Sequence, residues 1–265
     1  MNYGIILIKI NNINISDINI ENIEYSGINI KSFDDIKNIS KNYNNINFLL
    51  INYKYSIGYT NFINGNYEIS NINNIINLFQ QMTKQEIDKI KNIEFDILWN
   101  ELNSIDIRDK SELLYIYKHS FKKYTLLKNK IGTDLDLDFY INKIVPIYNN
   151  LEWGFPKGQK YKNETEQQAA LRNLYEETKI NNVKILTNIK PIYEILYDIN
   201  NNEYTNIYYI AILQDNTMKI NTPLINFFNY DSTIDLIRNY DIDKKIMIQN
   251  IFIFFMNIFI YNKLL

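Results

Sequence analysis

Four charged residues in the middle of the chain have the types and spacing of a divalent-cation site. Glu176 and Glu177 are adjacent, Arg172 lies four residues before Glu176, and Glu164 lies eight residues before Arg172. Adjacent carboxylates repel each other unless a cation lies between them, and hard oxygen ligands of this kind suit Mg²⁺ or Mn²⁺. The stretch therefore predicts a site for a divalent cation.

The same residues are predicted to lie on a loop that leads into a helix. Pro156 and Gly158 shape the loop, and Thr165 with Gln168 can form a capping box for a helix from about 166 to 178. Because residues four apart share a helix face, the charged side chains form adjacent rows on this helix. The loop and helix together are expected to hold the charged groups in place.

Apolar patterning predicts the elements that surround this helix. Runs at 3–10 and 46–53 read as buried strands, and runs at 192–197 and 207–213 read as a hairpin. Helical periodicity extends from about Asn71 to about Lys130. The apolar stretch 246–260 is shorter than the ~20 residues of a membrane span and contains three amides, so it predicts a buried terminal helix.

Composition excludes several classes of protein. A hydrophobic fraction of 46% in 265 residues is enough for a sizeable core, and a net charge of -2 does not fit a strongly basic nucleic-acid coat protein. The absence of cysteine excludes disulfides, thiolate zinc sites and cysteine nucleophiles. With no signal peptide recognised after Met1, these features favour a soluble intracellular protein.

The charged stretch resembles the Nudix box, a pattern of glycine, glutamate, arginine and paired glutamates at fixed offsets. Two positions depart from the pattern, because Asn173 replaces the glutamate after the arginine and Lys179 replaces the late glycine. The residues that match are Gly158, Glu164, Arg172, Leu174, Glu176, Glu177 and Ile180.

The resemblance is narrower than the Nudix family as a whole. Residues 153–158 look like the entry loop of mRNA-decapping Nudix enzymes. Segments at 53–63, 76–83, 95–99 and 204–211 are similar to the decapping enzymes of large cytoplasmic DNA viruses, especially the African swine fever virus type. This similarity implies hydrolysis of the diphosphate linkage in the 5′ cap of RNA, releasing methylated GDP and 5′-monophosphate RNA.

The resemblance also implies roles for individual residues. Mg²⁺ or Mn²⁺ would be the cofactor, with Glu176, Glu177 and the carbonyl of Gly158 as metal ligands. Glu164 would either be a further metal ligand or orient the helix. Lys157 would belong to the substrate loop. The expected catalytic residues are Glu176, Arg172, which fixes the carboxylates, and Asn173.

The amide at position 173 puts activity in doubt. An amide can bind a metal through oxygen but cannot take a proton from water. Either another carboxylate, such as Asp231 or Asp235, activates the water, or the metal alone does so, or hydrolysis is slow or absent. If a base has simply been lost, Asn173→Glu is expected to raise hydrolysis.

A basic and aromatic stretch predicts contact with RNA. No acidic residue occurs between Leu113 and Thr133. Basic side chains interleaved with aromatic ones suit a phosphate backbone with stacked bases, although an ordinary solvated helix face is the alternative. The expected RNA-binding residues are Lys118, His119, Lys122, Lys123, Lys128 and Lys130.

The expected architecture is an α+β Nudix fold, a mixed sheet sandwiched by helices. Residues 1–55 and 135–265 would form it, with a helical insertion at 56–134 that binds RNA or substrate. Two other functions stay open: hydrolysis of small substrates such as dinucleoside or diphosphoinositol polyphosphates, and RNA binding by a catalytically silent Nudix module. The resemblance further implies capped RNA as partner, no membrane, and the host cytoplasm or the virion as location; the sequence indicates no protein partner.

Overall fold

The computed structural model describes residues 1–11, 44–103, 110–197, 203–215, 220 and 222–261, which form two compact units. We call the first the sheet unit and the second the helical unit. The sheet unit comprises Met1–Asn52, Trp153–Leu196 and Tyr204–Leu265. The helical unit comprises Tyr53–Glu152 and Tyr197–Glu203.

The described residues form eight strands and nine helices. The strands are β1 (Asn2–Ile10), β2 (Ile46–Asn52), β3 (Trp153–Gly154), β4 (Lys157–Gln159), β5 (Val183–Ile185), β6 (Ile192–Tyr197), β7 (Glu203–Leu213) and β8 (Ile225–Asn229). The helices are α1 (Ile57–Ile63), α2 (Ile72–Gln81), α3 (Lys84–Asn92), α4 (Phe95–Asn103), α5 (Lys110–Lys128), α6 (Leu137–Lys143), α7 (Glu166–Thr178), α8 (Tyr230–Leu236) and α9 (Ile242–Tyr261).

The strands form one mixed sheet with β1 at its centre. β1 pairs antiparallel with β2 and β4 and parallel with β7. β2 also pairs antiparallel with β3 and β8, and β7 pairs with β5 and β6. The register of β1 against β4 places Tyr3 opposite Gly158, which brings the predicted metal-binding loop to the start of the central strand.

Each face of the sheet is covered by a helix. Alternate residues of a strand point to opposite faces, and both faces of β1 are apolar. Ile6 and Ile8 belong to a core that also contains residues of α9, whereas Ile5 and Leu7 belong to a core that contains residues of α7. The predicted fold class, a mixed sheet between helices, is confirmed.

Local sequence determines where α7 begins and ends. The side chain of Thr165 accepts a hydrogen bond from the backbone of Gln168, and the side chain of Gln168 accepts one from the backbone of Thr165, as predicted. After the helix, Lys179 has a φ of 63°, in the left-handed region that glycine favours. Glycine adopts this conformation without strain, which accounts for the glycine that the family pattern has at this position.

The helical unit has a core of its own, rich in aromatic rings. Phe62 packs edge-on against Phe79 and is stacked on Tyr67, and Tyr140 lies beside Phe79. A capping box formed by Thr83 and Glu86 begins α3. Its carboxylate, Glu86, also accepts a hydrogen bond from the backbone of Ser56, so it ties α3 to the start of α1.

The border between the two units differs from the sequence expectation. The helical unit extends to Glu152 rather than to 134, because Leu137, Tyr140 and Ile141 of α6 are buried in its core. Residues 12–43, which were expected to belong to the Nudix domain, and the hairpin turn at 198–202 lie outside the described residues.

The last helix is buried, as its sequence predicts. Met247, Ile248, Ile251 and Phe252 of α9 lie in the core beneath the sheet. Among the residues that the structure describes, no helix is long and apolar enough to cross a membrane.

Candidate active site

Arg172 is the centre of a hydrogen-bond network that joins α7 to the preceding loop. Its guanidinium group has five N–H donors, and all five have acceptors. Nε and Nη2 donate to the two oxygens of Glu164 at 3.0 and 2.6 Å, Nη2 also donates to the carbonyl of Gln159 at 2.7 Å, and Nη1 donates to Asn173 Oδ1 at 2.9 Å and Glu176 Oε2 at 3.0 Å. Arg172 therefore positions its neighbours and has no further donor for a substrate.

Glu164 is held on both of its oxygens. Besides the two bonds from Arg172, Oε1 accepts the backbone N–H of Tyr161 at 2.6 Å. Arg172 and this backbone donor hold the pKa of the Glu164 carboxyl below its usual value, although desolvation opposes the shift. This geometry favours the role of orienting the loop over that of a metal ligand, the two roles that the family resemblance left open.

Asn173 is buried, with 6% of its surface exposed, and both atoms of its amide are engaged. Oδ1 accepts from Arg172, and Nδ2 donates to the backbone carbonyl of Tyr3 on β1 at 3.0 Å. Gly158 packs directly against the same amide, since a Cβ at position 158 would lie 2.6 Å from Asn173 Oδ1. The arrangement links α7, β1 and β4 and favours a positioning role over a catalytic one for Asn173.

Glu176 and Glu177 are the exposed carboxylates of the network. Glu176 accepts from Arg172, and Glu177 Oε2 accepts the backbone N–H of Lys157 on β4 at 3.2 Å. Although its side chain is exposed, Glu177 lies among closely packed atoms, and desolvation together with the charge of Glu176 raises the pKa of its carboxyl to about 7. Lys157 opposes this shift by its charge and its backbone hydrogen bond.

The oxygen donors at this place fit Mg²⁺ or Mn²⁺ by their chemistry. Glu176 and Glu177 are hard ligands, and the bond from the backbone N–H of Lys157 brings Glu177 beside the backbone next to Gly158. In the part of the chain that the structure describes, no three His, Cys, Asp or Glu side chains cluster as a metal cage. Mg²⁺ often uses only one or two carboxylates and completes its shell with waters and substrate phosphates, so two carboxylates are compatible with such a site.

A further buried carboxylate, Glu194 on β6, was not identified from the sequence. Only 2% of its surface is exposed, and its oxygens contact Lys244 Nζ at 3.1 Å, Asn206 Nδ2 at 2.6 Å and the hydroxyl of Tyr208 at 3.1 Å. Burial opposes ionisation, but Lys244, Lys157 and the hydrogen bond from Asn206 outweigh it and lower the pKa of Glu194. Strand alternation places Glu194 on the inward face, which is the one sequence signal that could have indicated it.

The two aspartates considered as bases lie elsewhere in the sheet unit. Asp231 and Asp235 are exposed residues of α8. Ile234 of the same helix packs on the core that contains α9, whereas α7 packs on the core of the opposite face of the sheet.

The basic stretch forms most of α5 and is only partly a free surface. Lys118, His119 and Lys122 are exposed on one face with Tyr115, which is 72% exposed, and Lys128 and Lys130 are exposed at the end of the helix. Lys123 differs, because its Nζ donates to the carbonyls of Gly65 and Tyr67 at 2.9 and 2.6 Å. Desolvation and the charges of Lys123 and Lys122 lower the pKa of His119.

Comparison with known proteins agrees with the geometry. Residues 145–229 match the NUDIX domain family. The chain is 33% identical over 260 residues to a protein of Acanthamoeba polyphaga mimivirus that is named provisionally as an mRNA-decapping protein, and the match covers 87% of this chain and 71% of that protein. It is 29% identical over 179 residues to mRNA-decapping protein g5R of African swine fever virus, covering 64% of this chain and 67% of g5R.

Two solved structures match part of the chain with low TM-scores. The crystal structure of Caenorhabditis elegans Ap4A hydrolase matches with a TM-score of 0.33 and 19% identity, over 40% of this chain and 80% of that one. A mutT/nudix family protein from Listeria innocua matches with a TM-score of 0.31 and 19% identity, over 45% and 77% of the two chains. The identity to the mimivirus protein over most of both chains, together with the matched domain, shows that this chain belongs to the Nudix hydrolase family and is similar to viral mRNA-decapping proteins.

Proposed function

We propose that this protein removes the 5′ cap of RNA by hydrolysing the diphosphate linkage, with Mg²⁺ or Mn²⁺ as cofactor. The products would be methylated GDP and 5′-monophosphate RNA. The observation that carries the proposal is the similarity to viral decapping proteins, which extends over 87% of the chain and is therefore not limited to the Nudix box. Because those relatives are viral, we propose that the reaction takes place on mRNA in the host cytoplasm and that the protein is also packaged in the virion.

The exposed groups around α7 have the charges that this reaction needs. Glu176, Glu177 and the carbonyl of Gly158 would hold the cation. When bound, the cation neutralises charge on the diphosphate and lowers the pKa of the attacking water. Lys157 lies beside Glu177 and supplies positive charge at the substrate loop, while Arg172 keeps Glu176 and the loop in place.

Proton removal from the attacking water is the weak point of the site. Asn173 cannot accept a proton, and both atoms of its amide are already hydrogen-bonded. General-base assistance is typically worth ~10²–10⁴ in rate. We therefore expect metal-dependent turnover that is slower than in a Nudix enzyme with a glutamate at this position.

The exposed face of α5 is proposed to bind the RNA body. Tyr115, Lys118, His119 and Lys122 follow one another at helical spacing on that face, which offers phosphate contacts and one large ring for stacking. Lys128 and Lys130 extend the positive charge. Lys123 is not part of the proposed surface, because its ammonium is bound by two backbone carbonyls.

Incubation of cap-labelled RNA with the full chain tests the proposal. We expect methylated GDP to be released with Mn²⁺ or Mg²⁺ and not with a chelator. Glu177→Gln should abolish release while the protein stays folded, because the residue is exposed. Glu94→Gln, at an exposed glutamate just before α4, is the matched control that should leave release unchanged.

The outcomes separate the three candidate functions. Release that requires RNA longer than a few nucleotides supports decapping. Equal activity on dinucleoside polyphosphates, with no dependence on RNA length, would favour a small-substrate hydrolase. Tight binding of capped RNA without any turnover would favour the silent RNA-binding module.

A further inference from the structure

Tyr161 lies in the loop before α7 and covers one side of Arg172. The centroid of its ring is 3.8 Å from the guanidinium carbon of Arg172, which is close stacking of two planar groups. Its backbone N–H donates to Glu164, the other partner of Arg172. The ring is thus held in place by the same network that positions Glu176.

The other side of the Tyr161 ring faces outward. The residue is 42% exposed although one face of its ring is against Arg172. Lys162, the next residue, is also exposed, so an exposed positive charge directly follows the ring in the sequence. A fixed, open aromatic face next to positive charge is the arrangement on which nucleic-acid bases stack.

The charge of Arg172 favours one kind of base over another. A cation on one face of an aromatic ring draws the negative charge of the ring toward itself and leaves the opposite face less attractive to a second cation. The methylated guanine of a cap is positively charged, whereas ordinary RNA bases are neutral. The open face of Tyr161 therefore suits a neutral RNA base better than the cap base.

We propose that Tyr161 is a stacking platform for the base of the first RNA nucleotide, the one joined to the cap through the phosphates. This inference rests on the proposed function, since it assumes that capped RNA is the substrate. The platform would fix the RNA side of the scissile linkage beside Glu176. Glu176 is bound by Arg172, which lies against the covered face of the ring.

Binding of modified capped RNAs tests the inference. The probes are a short capped RNA with 2-aminopurine as first base, whose fluorescence falls on stacking, and the same RNA with an abasic first nucleotide. Binding is measured with Mg²⁺ and with every proposed cation ligand unchanged, and both RNAs carry a non-hydrolysable methylene bridge in the scissile linkage so that they stay intact. Each variant is also compared for its affinity for methylated GDP alone.

Stacking of one base on one ring corresponds to about 5- to 150-fold in affinity, and we expect the lower part of that range for an exposed ring. The parent should bind the 2-aminopurine RNA at least about fivefold more tightly than the abasic RNA, with fluorescence quenching. Tyr161→Leu should remove both the preference and the quenching, and Tyr161→Phe should keep them. Tyr175→Leu is the matched control, because Tyr175 is an exposed tyrosine of α7 whose ring contacts Lys179 instead of Arg172.

Several results would overturn the inference. Equal affinity of the parent for the two RNAs would overturn it without any variant. So would an equal loss of affinity for both RNAs in Tyr161→Leu, since that would indicate that the ring only supports Arg172. A loss of affinity for methylated GDP in Tyr161→Leu would assign the ring to the cap base instead. Failure of the parent to bind any capped RNA would remove the proposed function and this inference with it.

Discussion

Replacing Asn173 by glutamate tests the central finding about the site. The sequence alone suggests that the change restores a lost base and raises hydrolysis. In the structure, however, Asn173 is buried, and its Nδ2 is the donor for the carbonyl of Tyr3. A carboxylate has no such donor and carries a longer side chain, so we expect Asn173→Glu to destabilise the protein and not to raise the rate.

The size of the effect follows from the contacts that are lost. Leaving the buried carbonyl of Tyr3 without its donor costs about 1–3 kcal/mol. One extra methylene against the backbone of Gly158, where a Cβ would already lie 2.6 Å from the amide oxygen, adds about 1–3 kcal/mol of overpacking. Attraction between the new carboxylate and Arg172 offsets only part of this cost, because Arg172 already has Glu164 and Glu176 as partners. We expect a net loss of about 2–4 kcal/mol in the free energy of unfolding.

Urea unfolding and cap hydrolysis with Mn²⁺ are the two assays. Asn173→Asp is the control for size, since it keeps the shape of the side chain and, like glutamate, replaces the donor by a charged oxygen; it should lose about 1–3 kcal/mol. A second comparison uses Gly158→Ala, which should be less harmful when Asn173 is shortened to serine, because the two positions share one contact. A stable Asn173→Glu protein that hydrolyses caps ~10² times faster than its parent would refute the positioning role.

Three further results are expected. The double variant Lys118→Ala, Lys122→Ala should flatten the slope of log RNA affinity against log salt by about 1.4. Lys123→Ala should lower stability and leave this slope unchanged, because its ammonium is bound by backbone carbonyls. An equal change of slope for Lys123→Ala would contradict the assigned RNA-binding surface. Lys179→Gly should stabilise the protein by about 1 kcal/mol in thermal unfolding, because it relieves a left-handed backbone, and a loss of stability would argue against that strain. The pKa of Glu194 is lowered in the folded state, so its contribution to stability is present above the ordinary carboxyl pKa and is lost as pH falls through the lowered value. Glu194→Gln should therefore reduce the pH dependence of the free energy of unfolding in acid. An unchanged pH dependence would contradict this.

The sequence predicted α7 and its row of charges well because those features are local. A capping box places the start of the helix, and a spacing of four residues places Arg172 beside Glu176, without any knowledge of the rest of the chain. Both departures from the family pattern were also visible. At Lys179 the structure shows why the pattern has glycine, since the residue has a positive φ.

The features that the sequence did not predict depend on contacts between distant parts of the chain. The bond from Asn173 reaches Tyr3, 170 residues away, and the bond from Asn206 to Glu194 depends on the pairing of β6 with β7. The border of the helical unit could not be placed either, because an amphipathic helix such as α6 does not indicate which of two cores it joins. Only the packing of Tyr140 in the aromatic core decides it.

The balance of charge around α7 gives an independent physical argument for a cation in the proposed reaction. Glu164 and Arg172 neutralise each other through paired hydrogen bonds, which leaves Glu176 and Glu177 against Lys157. These two carboxylates and a diphosphate are all negative, so they repel each other where they meet unless a positive ion lies between them. Arg172 cannot serve as that charge, because all five of its donors are bound within the protein. We therefore expect that removing the proposed divalent cation weakens affinity for capped RNA as well as stopping hydrolysis, which a binding measurement with and without a chelator can check.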